Sequence, residues 1–340
     1  MANDVLRIYQ RSYPQIQTAF DAIPNSAGAA TVAGSDCCLI ESLTTDADQA
    51  EIARTDKTGT LDAYPTQGGR RTARGQAVLS MAGNGAAGVA PDCKNYLQAA
   101  FGKAPTISAG TSVLYTLDDL LYYLAIWNFN QPNTAEQMCA FNSLINKMVV
   151  EFGGDEPKLT FGFESGWVLT PAQIGDSNTD PLAKGGLTAF PNEPASPVVN
   201  GTFPPGFQVT ATLDGTAYTT LLTGRITLDI GRELRKDTNS AFPRQGVPGP
   251  RKVTVDFSLT DDDSAALTGL KVKAYDRTPV NVEFAIGTVA GNTWDWLVKN
   301  VILAKPKYGD EGIRRKVDFS GSMAYPTSVG AKDHLQLTIR

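Results

Sequence analysis

The strictest alternation of apolar and polar residues lies between residues 225 and 325. From Arg225 to Arg235 the apolar side chains fall on even numbers (Ile226, Leu228, Ile230, Leu234) and the polar ones on odd. Lys252 to Thr260 alternates in the opposite phase, with Val253, Val255, Phe257 and Leu259 apolar. Period-two alternation over eight or more residues predicts a strand with one dry face and one wet face. Between the two segments, Lys236 to Arg251 holds Pro243, Gly246, Pro248, Gly249 and Pro250. Such residues do not sit inside a ladder. The pattern predicts two long antiparallel strands with an extended arm at one end.

The rest of the chain reads in order around that hairpin. Residues 1–35 are expected to form an N-terminal arm, with Val5, Ile8, Tyr9, Tyr13, Ile16 and Phe20 in a loose helical stripe broken by Pro14. A weaker strand covers Cys37 to Asp56, a polar loop Lys57 to Gly69, and a clearer alternating strand Thr72 to Met81. Pro91 to Phe101 predicts a short helix, with Pro in its first turn and Gly102 as its stop. Strands are expected over Leu120–Phe129, Leu144–Phe152 and Leu159–Phe163, with a turn at Gly153 to Pro157. Residues 171–215 are rich in Pro, Gly, Asn and Asp and read as a linker with a loop insertion. After the hairpin come a helix capped by Asp263, a strand over Val280–Ile286, apolar Val301–Leu303, a turn at Gly309–Gly312, and a strand from Lys316.

The order of elements in the second half repeats that of the first. Asn146, Gly154-Asp155-Glu156 and Phe163 match Asn300, Gly309-Asp310-Glu311 and Phe319, each gap differing by one residue. The expected division is therefore a first unit at 36–170 and a second at 216–340. Two similar half-subunits can occupy equivalent places in a ring.

Charge and cysteine content narrow the function. The net charge is −5, against a partner gripped through phosphate contacts. Residues 1–170 carry 11 Lys+Arg against 17 Asp+Glu, a net of −6, and the remainder 19 against 18, a net of +1. Cys37, Cys38, Cys93 and Cys139 form no CxxC pair and stand beside one histidine, so they read as small buried apolar residues in a reducing compartment. No signal-peptide core is visible near the N-terminus, and the longest apolar run, Leu120 to Trp127, is too short to span a bilayer.

Candidate chemistry is sparse. Gly83-Asn84-Gly85-Ala86-Ala87-Gly88 is a literal GxGxxG after a strand. Pro91 and Asp92 start the helix beyond its last glycine, however, which predicts a flexible turn. His334 lacks a partner nucleophile and is expected to be an exposed strand residue. Asp118-Asp119 reads as a turn, Asp261-Asp262-Asp263 as a strand end and helix cap, and Arg314-Arg315-Lys316 as a solvated turn. No enzyme activity, cofactor or metal is expected.

The second half resembles the tail tube (major tail) proteins of long-tailed, siphovirus-like bacteriophages. The resemblance lies in an ordered series: Gly224-Arg225-Ile226, Gly231-Arg232-Glu233, Gly249 to Phe257, Asp261-Asp262-Asp263, Gly291 to Trp294, Pro306 to Asp310, Asp318 to Ser322 and Asp333 to Leu337. A similar pattern runs through 69–80, 91–102 and 158–166, so about three quarters of the chain is covered, by order rather than by any sharp motif. The resemblance implies a mainly β chain of two tandem β-sandwich or barrel-like tube domains, each with a short flanking α-helix and a long hairpin arm. Copies would assemble as trimeric pseudo-hexameric or hexameric rings with a continuous lumen β-barrel, stacked through the arms. It also implies a tape-measure protein in the lumen during assembly, DNA passing later without specific binding, and tail terminator and baseplate proteins at the ends. The subunit would be made in a bacterial host's cytoplasm and end in the virion tail, with no membrane insertion.

Within that resemblance the wet faces become lumen candidates: Arg225, Thr227, Asp229, Glu233, Thr254, Asp256 and Ser258, and in the first half Thr72, Arg74 and Gln76 with Glu41 and Asp48. The stacking-arm candidates are Asp237, Phe242, Arg244, Tyr64 and Gln67. Two other readings compete. A baseplate or decoration module binding carbohydrate or a receptor would show Trp167, Trp294 and Trp296 grouped on an exposed face. A nucleotide-binding enzyme would use Gly83–Gly88.

Overall fold

The computed structural model describes residues 10–20, 22, 31–52, 67–130, 136–174, 189–194, 204–206, 208–235, 242–243, 245–262 and 264–340. Its first half contains β1 (Gln10–Ile16), β2 (Ser42–Ile52), β3 (Gln67–Ser80), α1 (Lys94–Phe101), β4 (Thr106–Ser108), β5 (Ser112–Thr116), β6 (Leu124–Asn130), β7 (Met138–Phe152), β8 (Lys158–Ser165) and β9 (Trp167–Leu169). The second contains β10 (Val209–Leu213), β11 (Thr216–Tyr218), β12 (Leu221–Asp229), β13 (Glu233–Arg235), β14 (Gln245–Val247), β15 (Lys252–Thr260), α2 (Ala265–Asp276), β16 (Val280–Ile286), β17 (Trp294–Ile302), β18 (Lys307–Glu311), β19 (Arg314–Ala324) and β20 (Leu335–Ile339). The fold is mainly β and its strand pairs are antiparallel.

The central layer is one eight-stranded run in the order β2-β3-β8-β7-β12-β15-β19-β18. Four strands come from each half, and the two groups meet where β7 pairs with β12. Within each group the order is the same: β2 and β12 at one side, then their hairpin partners β3 and β15, then β8 and β19, then β7 and β18. Two further layers cover the dry side. One is β11-β10-β16-β17-β20-β5-β4, in which the C-terminal β20 joins the first half at β5. The other is β1-β6-β7-β9. Among the described residues no sheet closes on itself, and β2 and β18 each have a single strand partner.

β7 belongs to two layers because it bends. Its start pairs with β6 and β9 and its end with β8 and β12. At the bend Asn142 adopts φ 51, a left-handed conformation that asparagine tolerates better than most residues. The buried amide of Gln17 holds it there, accepting from Asn142 N–H at 2.8 Å and donating to its side-chain oxygen at 3.0 Å. Asn300, near the end of β17, has the same φ of 51.

The dry face explains the alternation. In β15, Val253, Val255, Phe257 and Leu259 are buried, and in β12 so are Ile226 and Leu228. The core is continuous across the halves: Phe152 packs on Phe284 at 4.6 Å and Phe101 on Trp296 at 6.4 Å. Gly224 permits that junction, because a Cβ there would stand 2.0 Å from the Phe152 ring.

Several expectations are corrected. The helical stripe over Tyr13 and Ile16 is a strand. Ser12 to Gln15 are all buried, so both faces are covered and the period-two signal is erased. Residues 225–235 are not one strand: the chain turns at Gly231 (φ 61), so Glu233 begins β13 instead of extending β12. β10 lies in the stretch read as linker and pairs with β16. Gly309 to Glu311 belong to β18, and the turn falls at Gly312 (φ 60). The N-cap of α2 is Ser264, whose hydroxyl accepts from Leu267 N–H at 3.2 Å; Asp263 lies outside the described residues.

Candidate functional site

Residues directly opposite each other on paired antiparallel strands share a face, so the registers trace the polar face across both halves. One row runs Gln76–Gly162–Lys147–Asp229–Lys252. The next runs Val78–Thr160–Val149–Thr227–Thr254, and a third Ser80–Lys158–Glu151–Arg225–Asp256. Thr72, Arg74, Gln76, Arg225, Thr227, Asp229, Thr254, Asp256 and Ser258 therefore occupy one face of one sheet. Alternation within each strand indicated which side was wet. That the two wet sides were continuous depended on β7 pairing with β12, which no local pattern encodes.

The face carries charge of both signs in alternation. Lys158 contacts Glu41 at 2.7 Å and Arg225 contacts Glu151 at 3.4 Å, with Asp256 opposite Arg225 on the other side. Ser258 donates to Asp318 at 2.5 Å, and Lys316 lies 3.6 Å from the same carboxylate. The hydrogen bond to Glu41 raises the pKa of Lys158. Asp48 stands opposite Thr72 on the exposed part of the β2–β3 ribbon. Arg74, Lys147, Glu164, Asp229 and Glu233 line an open trough of about 810 Å³ at the foot of the arm. A surface with such closely interleaved acids and bases offers a polyanion no continuous cationic track.

The arm candidates divide differently. Tyr64, Asp237 and Arg244 lie outside the described residues, and the backbone of Gln67 pairs with Ile52. Phe242 folds back on the first half, 5.9 Å from Trp167 and beneath the guanidinium of Arg71 at 5.2 Å.

One residue at the arm's base escaped the sequence reading. Arg232 sits on the even, apolar side of the alternation and is 4% exposed. Its guanidinium donates to the carbonyls of Ala99 and Leu120, the latter at 3.2 Å. Burial lowers its pKa to about 10, which leaves it cationic at neutral pH. An arginine in an otherwise apolar row was the available signal.

The remaining candidates are structural in their contacts. Gly83 N–H donates to the Asn292 side chain at 2.9 Å, and Gly291 packs on Ala86, so the glycine loop is a contact between the halves. Asp118 and Asp119 hold Lys332 at 2.5 and 2.7 Å, and Arg251 pairs with Asp119. Asp261 binds Lys271 at 2.5 Å and Arg315 at 3.2 Å. No metal-holding cluster occurs among the described residues. Trp294 and Trp296 are fully buried and Trp167 nearly so, which leaves no exposed tryptophan face of the kind a sugar-binding module needs. His334, expected as an exposed strand residue, is 8% exposed and lies just before β20, which sits between β17 and β5. All four cysteines are buried, and burial pushes the Cys37 thiol up to about 11. No helix among the described residues is long and apolar enough to cross a membrane.

No family model matches the chain, and no curated protein matches it.

Proposed function

We propose that the protein is a structural subunit, without enzymatic activity, that closes into rings by pairing the free edges of its eight-stranded sheet. The polar face lines the bore, and the rings stack into a bacteriophage tail tube through which DNA passes. The observation that carries this reading is the sheet itself. It is a single ribbon through both halves whose inner strands are dry on one side and polar on the other, and among the described residues its edge strands β2 and β18, largely exposed on both faces, each have one strand partner. Exposed edges invite pairing with another chain, and closure removes them. The two four-stranded groups have the same order, as a duplicated tube domain requires.

With a duplicated unit, three copies supply six equivalent places around an axis. They would bring about 24 strands around the axis; at roughly 4.8 Å spacing and about 40° tilt, the backbone diameter is about 50 Å. Six copies would double it. The interleaved charge of the polar face suits a passage that must not grip its cargo.

Sedimentation and negative-stain microscopy of the purified protein test this. Rings or tubes with a central hole are expected; a protein that stays monomeric at high concentration would remove the proposal.

A further inference from the structure

Among the described residues, the groove at the end of α1 is filled, whereas its counterpart at the end of α2 is open. α1 stops at Gly102 (φ 70), whose N–H returns to Gln98 O, and α2 stops in the same way at Arg277 (φ 56), whose N–H returns to Lys273 O. Ala99 and Ala274 thus hold matching places. At α1, the chain leaving β12 turns at Gly231 and lays Arg232 against the end of the helix, with Leu234 buried two residues further on. Arg232 donates to Ala99 O, and Leu234 is 4% exposed. Gly246 lies against Leu144 and donates to the Tyr123 hydroxyl at 3.1 Å.

At α2 the corresponding walls are Ala274, Tyr275, Ile302, Leu303, Met323 and Tyr325, around about 400 Å³. Tyr275 is 55% and Tyr325 44% exposed. This concave surface, apolar in its walls and flanked by Arg277 and Lys305, lies beside a strand with one free edge and fits a protein segment better than solvent. Lys305 lines the same groove two residues before β18, so groove and free edge are contiguous.

The pairing order identifies the occupant. The filler of the α1 groove arrives along β12, the strand paired with β7. β7 and β18 hold matching places in their four-stranded groups, and so do β12 and β2. A strand that pairs with β18 as β12 pairs with β7 is therefore β2 of a second copy, and the chain after β2 is led to the α2 groove. We propose that this groove receives the segment following β2, residues 53–66, of a neighbouring copy in the same ring. That segment offers Leu61 and Tyr64 to the apolar walls. β2 carries Asp46, Asp48 and Glu51 with no cation, and the receiving edge offers Lys305 and Lys307 at its groove end, with Asp310 and Glu311 at the far end of β18. The proposal rests on the ring reading and assigns Tyr64 a contact within a ring instead of between rings.

The test is amine cross-linking with mass spectrometry on particles assembled from equal parts of ¹⁵N-labelled and unlabelled protein. Lys57 lies in the donated segment and Lys305 at the groove. Mixed-label Lys57–Lys305 links are expected, and the variant Y275E/Y325E, altered only at exposed positions, should need at least tenfold more protein to assemble. Rings in which Lys57 links only elsewhere, or which form undiminished in the double variant, would overturn the groove assignment while leaving the ring reading intact. Failure to form rings at all would remove both.

Discussion

Arg225 and Glu151 stand opposite each other on adjacent strands, 3.4 Å apart, although 74 positions separate them in the chain. Their contact marks the line where the two halves become one sheet. Both side chains are about half exposed, so the pair belongs to the class whose measured contribution is about 0–1 kcal/mol. R225A should therefore shift the urea midpoint only slightly. A loss above about 2 kcal/mol would mean that the ion pair, not the buried packing behind it, joins the halves.

Arg232 should behave in the opposite way. It is buried and supplies donors to two carbonyls, so R232A leaves both acceptors unpaired and a void beside α1. A loss of about 2–4 kcal/mol in denaturant unfolding is expected, with R232K intermediate. A near-neutral R232A would show that water replaces the guanidinium without cost.

The glycine loop gives a discriminating substitution. A Cβ on Gly83 would lie 2.0 Å from Gly291 O and 2.9 Å from Asn292 Cα, both backbone. G83V should destabilise by about 1–3 kcal/mol, as overpacking does. Calorimetric titration of the unmodified protein with NAD or ATP should show no heat of binding. Saturable binding abolished by G83V would restore the nucleotide reading.

Which parts of this were legible in advance follows from where each signal resides. The strands of the eight-stranded sheet that have one wet and one dry side, β3, β12, β15 and the end of β7, announce themselves by alternation. Gly102 as the stop of α1 is equally local. β1 is hidden because Ser12 and Gln15 are buried polar residues on a strand covered on both faces. Arg232 reads as an accident in an apolar row until the end of α1 is placed over it. The shared polar face was half visible: Gln76 and Asp229 were each on a wet side, but their common row runs through Gly162 and Lys147, a relation only pairing creates.

Acid should weaken the fold through His334. Burial is the main cause of its lowered pKa, and nearby Arg251 adds to it while Asp333 opposes. A base with a folded pKa below its unfolded value of about 6.5 contributes stability that is complete above that pH and lost as pH falls through the folded pKa. The unfolding midpoint should fall below about pH 6.5, and the fall should be shallower in H334Q. Identical profiles for the two proteins would assign the acid sensitivity to other groups.

The arm should contribute to the fold of its own chain. Phe242 packs against both Trp167 and Arg71, so F242A should cost about 1–3 kcal/mol, less than for a fully buried ring, as read by thermal or denaturant unfolding. Unchanged stability would mean that this packing is loose and the arm is free to reach another ring.

The central claim is that the row Lys158–Glu151–Arg225–Asp256 faces a shared bore. Cryo-electron microscopy of the assembled particle measures this directly. The account predicts a closed β-barrel in which this row points to the symmetry axis and β2 of one copy lies beside β18 of the next. An assembly with that row turned outward, or with β2 and β18 unpaired, would contradict it.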